Sequence, residues 1–150
     1  GRGTVHHLAG PSGSFAATER ERGWREALVD AGITAPDPVR GDWTSASGHL
    51  AAAALGAATA VFVSNDQMAL GALRAFAESG REVPRDVAVV GFDDIVDAAE
   101  YRPPLTTVRQ DFDALGRQAV AALVAAIEGA APVAETVPAA LVVRASSARV

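Results

Sequence analysis

The chain has 150 residues, 49% of them hydrophobic and 21% charged, and a formal net charge of −5. That length and balance fit one globular domain with a buried core, and the negative sign makes this segment a poor partner for nucleic-acid phosphates. Cysteine is absent, which excludes disulfides and thiolate metal sites and fits a reducing, cytoplasmic setting. The apolar run 50–63 is too short to span a bilayer and is broken by Gly56, so no membrane partner is expected. Residues 1–3 form no signal peptide, and a strand-like run follows at once, so the chain reads as a segment of a longer protein.

Residues 4–9 read as a short strand stopped by Gly10-Pro11-Ser12-Gly13. Residues 15–31 have helical spacing, with Ala17, Trp24, Leu28 and Ala31 on one face and Gly32 at the C-terminal cap. A short strand is expected at 38–42, an alanine-rich helix at 45–55 ended by Gly56, and a strand at 60–64. Ser64 or Asn65 caps the next helix, 66–79, which Gly80 closes. Residues 87–92 are wholly apolar, as in a strand covered on both faces. A loop over 93–104 ends on Pro103-Pro104. An extended stretch at 106–110, a helix at 111–128 closed by Gly129, and a last strand at 141–144 follow.

Strands alternate with helices, a pattern that predicts parallel βαβ units in an open, doubly wound α/β sheet. Helix 111–128 stands apart. Phe112, Leu115, Ala119, Ala122 and Leu123 form an apolar stripe, and the chain returns through Pro132 and Pro138. This helix either covers the same sheet or belongs to a neighbouring lobe.

In such sheets ligands lie beyond the carboxyl ends of the strands. The polar residues there are 10–14, Asp42-Trp43, Ser64-Asn65-Asp66 and Asp93-Asp94. Trp43 reads as a core side chain at the sheet edge or as a flat platform for a sugar ring. Asn65 reads as a helix cap or as an amide for vicinal hydroxyls, and Asp66 as a charge offsetting the helix dipole. Asp93 and Asp94 read as a solvated loop, an acid/base pair, a metal site or hydroxyl acceptors. A metal would need further ligands, and only Asp97 and Glu100 are near. Arg20 lies in the run Glu19-Arg20-Glu21-Arg22, which reads as a solvated face with local ion pairs. Of His6 and His7, one should face the core. Ser12 and Ser14 precede a helix, as in an anion cradle. No nucleophile elbow, phosphate loop or dinucleotide fingerprint is present, so no catalytic residue, metal or cofactor is assigned.

Taken together, SNDQMALGALRAFAESG at 64–80, VAVVGFDD at 87–94, YRPPLTTVRQDFDALG at 101–116 and GDWTSASG at 41–48 resemble the lac-repressor (LacI/GalR) family. The resemblance implies a periplasmic-binding-protein-like core of two α/β lobes with a small sugar effector between them. It also implies a preceding helix-turn-helix headpiece, absent from this chain, that binds operator DNA. Residues 1–109 and 138–150 would then form the C-terminal lobe, and 110–137 would carry a crossover helix of the other lobe. The implied ligand contacts are Arg20, Trp43, Asn65, Asp93, Gln110 and Phe112. Leu70 and Tyr101 would lie at a homodimer interface. Ala16 departs from the family pattern in the loop before Arg20, which leaves the choice of sugar open, although a galactoside-like one is favoured. The expected function is sugar-controlled repression rather than catalysis. A sugar receptor feeding a membrane transporter and a sugar hydrolase using Asp93 and Asp94 are the alternatives.

Overall fold

In the computed structural model, which describes residues 3–131 and 136–148, six strands and four helices alternate along the chain. Strand β1 (His6–Ala9) leads into helix α1 (Phe15–Asp30), and β2 (Val39–Arg40) into α2 (Ser45–Ala52). A 3₁₀ turn, Ala53–Leu55, extends α2. Strand β3 (Ala60–Val63) leads into α3 (Asp66–Glu78), and β4 (Ala88–Asp93) into a second 3₁₀ turn, Val96–Glu100. Strand β5 (Thr106–Arg109), α4 (Phe112–Ile127) and β6 (Ala140–Val142) complete the order. One sheet holds all six strands in the order β2-β1-β3-β4-β5-β6. The first five are parallel.

The parallel expectation fails at β6, which runs antiparallel to β5 with Thr107 opposite Val142. The chain leaves the sheet along β5, makes the α4 excursion and comes back alongside, so the returning strand runs the opposite way. Ser146 then locks this return. Its hydroxyl donates to the Val89 carbonyl at 2.6 Å and accepts from the Thr106 N–H at 2.8 Å. The return through Pro132 lies outside the described residues.

Local chemistry explains the element ends. The Ser14 hydroxyl accepts from the Ala17 N–H at 3.4 Å and caps α1, so this serine serves its own helix. Ala17, Trp24 and Leu28 of α1 are buried as their spacing predicts, whereas Ala31 is the exposed C-cap. Gly32 follows with φ +71°, and the bonds Gly32 N–H to Val29 and Ile33 N–H to Leu28 close the helix, both at 2.9 Å. One histidine does face the core. His7 is fully buried, its Nδ1 donates to the Phe62 carbonyl (3.0 Å), and it stacks on the Phe62 ring. Burial pushes its imidazole pKa down.

Leu8, Val61, Val63 and Val89 of the strands, with Val87 just before β4, meet Met68, Ala72 and Phe76 of α3 in the core. Strand β4 is not covered equally on both faces. Val90 and Phe92 remain half-exposed. Helix α4 has no buried residue at all. Phe112, Leu115, Leu123 and Ile127 are between 46% and 77% exposed, so this helix does not cover the sheet.

Helices α2 and α3 approach closely through two glycines. A Cβ on Gly71 would overlap the Ser45 carbonyl, and one on Gly48 would overlap the Met68 backbone. Gly71→Ala is therefore expected to destabilise the protein by about 2 kcal/mol, despite alanine's better helix propensity. Thermal unfolding followed by circular dichroism checks this, and an unchanged midpoint would contradict the close approach.

Candidate functional site

The five parallel strands point their carboxyl ends to one edge, and the polar segments expected there do gather. Arg20 reaches this edge from the second turn of α1. The charged run around it divides. Arg22 pairs with Glu19 (2.8 Å) and Glu26 (2.9 Å), and Glu21 pairs with Arg25 (2.9 Å) and Arg40 (2.6 Å), all by local or edge contacts. Arg20 instead turns inward, with its side chain 15% exposed. Its Nη2 donates to Asp93 Oδ1 at 3.1 Å, and its Nη1 donates to the Ser64 carbonyl. The guanidinium lies over the Phe92 ring, 3.9 Å from the centroid, and 5.6 Å from that of Trp43.

Gln110, just past β5, donates to the same Asp93 Oδ1 at 3.2 Å. Burial pushes the Asp93 carboxyl up, against the opposing pull of Arg20. Desolvation likewise lowers the Arg20 pKa, which Asp93 partly restores.

Trp43 holds a left-handed backbone, φ +78°, unusual for a bulky residue. Its ring lies over Gly10, where any Cβ would overlap it. Its carbonyl accepts from Asn65 Nδ2 at 2.9 Å. Asn65 fulfils the capping role as well, because its Oδ1 accepts from the Met68 N–H at 3.0 Å. The same amide thus caps α3 and pins the loop that presents the indole.

The adjacent carboxylates are separated rather than paired. Asp93 and Asp94 both have positive φ, +113° and +53°, and the turn sends them to different partners. The Asp94 side chain is 5% exposed and meets Arg109 Nε at 2.5 Å and Arg144 Nη2 at 2.8 Å. Burial pushes its carboxyl up, but the two arginines outweigh this and hold it below the usual value of 3.8.

The structure therefore brings together Arg20, Trp43, Asn65, Asp93 and Gln110. Phe112 stands to one side, 58% exposed, with its N–H on the Gln110 carbonyl at 3.1 Å. Leu70 is 44% exposed on α3, whereas Tyr101 is only 8% exposed and belongs to the core. Burial and the nearby Asp66 push its phenol up to about 12. The sequence does not single out Phe62 or Phe92, and it does not reveal the buried role of Asp66. Phe92 and Phe62 line an open groove of about 490 Å³ beside Arg20 and Gln110. Asp66, read as a dipole charge, is fully buried and accepts from Thr107 Oγ1 at 2.6 Å and the Ile95 N–H at 3.0 Å. The signal for Asp66 was the polar Thr106-Thr107 pair in a strand with apolar neighbours, which requires a buried partner.

Asp94 supplies a pH test. Its lowered folded pKa contributes stability that is present above pH 3.8 and lost as pH falls through the folded value. Asp94→Asn is expected to cost about 1–2 kcal/mol at pH 7. Denaturant unfolding of both proteins should converge as pH drops below 3.8, and a constant gap down to pH ~2 would contradict the ion-pair assignment.

A family model described as periplasmic binding protein-like domain matches residues 1–147. The lactose operon repressor of Klebsiella pneumoniae is 44% identical over 93% of this chain and 41% of its own. Among solved structures, a lac repressor dimer bound to operator and the anti-inducer ONPF superposes with TM-score 0.93 and 39% identity. That match covers 98% of this chain and 53% of the other. A complex of the transcriptional regulator CelR with cellobiose gives TM-score 0.91 and 39% identity, covering 98% and 47%. The chain spans about two fifths of the length of the curated relatives it matches.

Proposed function

The chain belongs to the periplasmic binding protein-like domain family, and from that premise we propose that it is the sugar-sensing lobe of a repressor of the lac-repressor family. The observation that carries this reading is the convergence of Arg20, Asp93, Asn65, Gln110 and Trp43 at one edge of the sheet. A sugar presents hydroxyls around its rim and C–H groups on its faces. Arg20 has five N–H groups, of which two go to Ser64 and Asp93, so it keeps donors for hydroxyls. Asp93 is held in place by two donors on Oδ1, which leaves its other oxygen to accept from the ligand. The indole of Trp43 offers the apolar face.

Residues 1–109 and 138–150 form the C-terminal lobe in this reading. Segment 110–137 crosses to the other lobe, whose surface covers the exposed stripe of α4 and brings Phe112 to the cleft. The unburied face of α4 supports this assignment. The protein acts as a cytoplasmic homodimer that joins through Leu70 and the loop carrying Tyr101. Operator DNA is bound by a headpiece outside this segment. Sugar binding shifts the two lobes, and operator affinity responds through one shared coupling free energy, typically ~1–3 kcal/mol. The protein performs no catalysis in this reading, because Asp93 and Asp94 are engaged by different arginines rather than facing one another.

The test uses the full gene product and the DNA upstream of its own gene, with fluorescence anisotropy at one fixed salt concentration. Lactose or cellobiose is expected to change DNA affinity by roughly tenfold or more. Trp43→Ala is expected to weaken sugar binding by about tenfold in calorimetry, and Asp93→Asn to remove the sugar response while DNA binding persists. DNA binding indifferent to every sugar would sink the sensing role.

A further inference from the structure

The Arg20 side chain is confined on more sides than its two hydrogen bonds require. Asp93 and the Ser64 carbonyl fix two of its edges, which lie in the guanidinium plane. Neither bond stops the group from tipping out of that plane. The Phe92 ring does, because the guanidinium carbon sits 3.9 Å above its centroid, close to van der Waals contact. We propose that Phe92 is a positioning residue for ligand binding, holding the Arg20 guanidinium so that its free N–H groups aim into the cleft.

Phe92 is the last residue of β4 before Asp93, so one strand end supplies both the ring beneath the guanidinium and the carboxylate at its edge. The ring also excludes water from one face of the cation. This strengthens the pull of its quadrupole, and it lets a ligand replace water on the remaining donors without first having to order the side chain. Phe92 is half-exposed rather than core, so its position is not accounted for by packing alone. The ring carries no polar atom, so it binds no hydroxyl itself and acts through Arg20. Its neighbour Trp43, at 5.6 Å, is farther from the cation and remains free to face a sugar.

The inference rests on the sugar-sensing reading, and two measurements separate the two. The first needs no ligand. In nitrogen-15 spectra of the protein, the Arg20 Nε–Hε signal is expected to be shifted upfield by the ring, with slow rotation of its Nη groups. Phe92→Leu, which keeps apolar bulk but loses the aromatic face, should remove both features, and Phe92→Tyr should keep them. The second is calorimetry of the full gene product with lactose and cellobiose. Phe92→Leu should bind about tenfold more weakly and Phe92→Tyr within about twofold of the original. In an Arg20→Lys background the Phe92→Leu change should add little, as expected for two coupled residues. An Arg20 signal unchanged in Phe92→Leu overturns the positioning role whatever the sugars do. Signal loss with intact sugar affinity, or an equal loss of affinity in the Arg20→Lys background, overturns its bearing on binding. A fixed Arg20 in a protein that binds neither sugar overturns the sugar reading and this inference with it.

Discussion

The tripeptide Ser64-Asn65-Asp66, where β3 hands over to α3, is the point from which the rest of the sheet edge is arranged. Asp66 has no exposed surface, and its oxygens hold Thr107 of β5 and the backbone of Ile95 beyond β4. A carboxylate is costly to bury, and burial does push its pKa up, against the pull of its hydrogen bonds to Thr107, Ile95 and Phe92. Its place in the first turn of α3 adds the favourable end of the helix dipole. Gly91 answers to the same constraint, because a Cβ there would overlap the Asp66 carboxylate. On either side, Asn65 ties down the Trp43 loop and the Ser64 carbonyl receives Arg20. Three consecutive residues thus reach β4, β5, α1 and the loop after β2.

The turn after β4 shows how one backbone distortion divides two like charges. Consecutive residues at positive φ are strained, at a cost of about 1–3 kcal/mol each. The surroundings over-determine them, since Asp93 is drawn to Arg20 and Gln110 while Asp94 is drawn to Arg109 and Arg144. The outcome is two carboxyls displaced in opposite directions, Asp93 upward and Asp94 downward. The first keeps a partly open environment, with its side chain still 21% exposed. The second is a structural clamp on the strands that lead to and from α4.

Much of this was legible in the residues. Helical spacing located α1 and its buried face, glycine and asparagine marked helix ends, and apolar runs marked β3 and β4. The misfit of α4 was visible as an apolar stripe with nowhere to go, and the structure leaves that stripe uncovered. Periodicity could not show the direction of β6, which depends on a pairing with β5 more than 30 residues apart in sequence. Nor could it show the inward turn of Arg20, which looks like its three charged neighbours in the run 19–22; distant partners distinguish it, Ser64 and Asp93, the latter 73 residues away. Phe62 and Phe92 carry no signal of their own in sequence, because each sits inside an apolar strand run and the groove they line is completed by α1 and Gln110.

The lock made by Ser146 has a kinetic side. Its bond to Val89 spans 57 residues, and its bond to Thr106 spans 40. Both close long loops, and loop closure of this kind slows folding more than it limits final stability. On a ribosome the four strands β1 to β4 and their helices are complete long before residues 140–146 emerge. Until then the far edge of β5 lacks its partner, and its backbone donors and acceptors stay open to other chains. The order of synthesis therefore leaves this domain with one late, exposed seam, which closes only when its last strand is made.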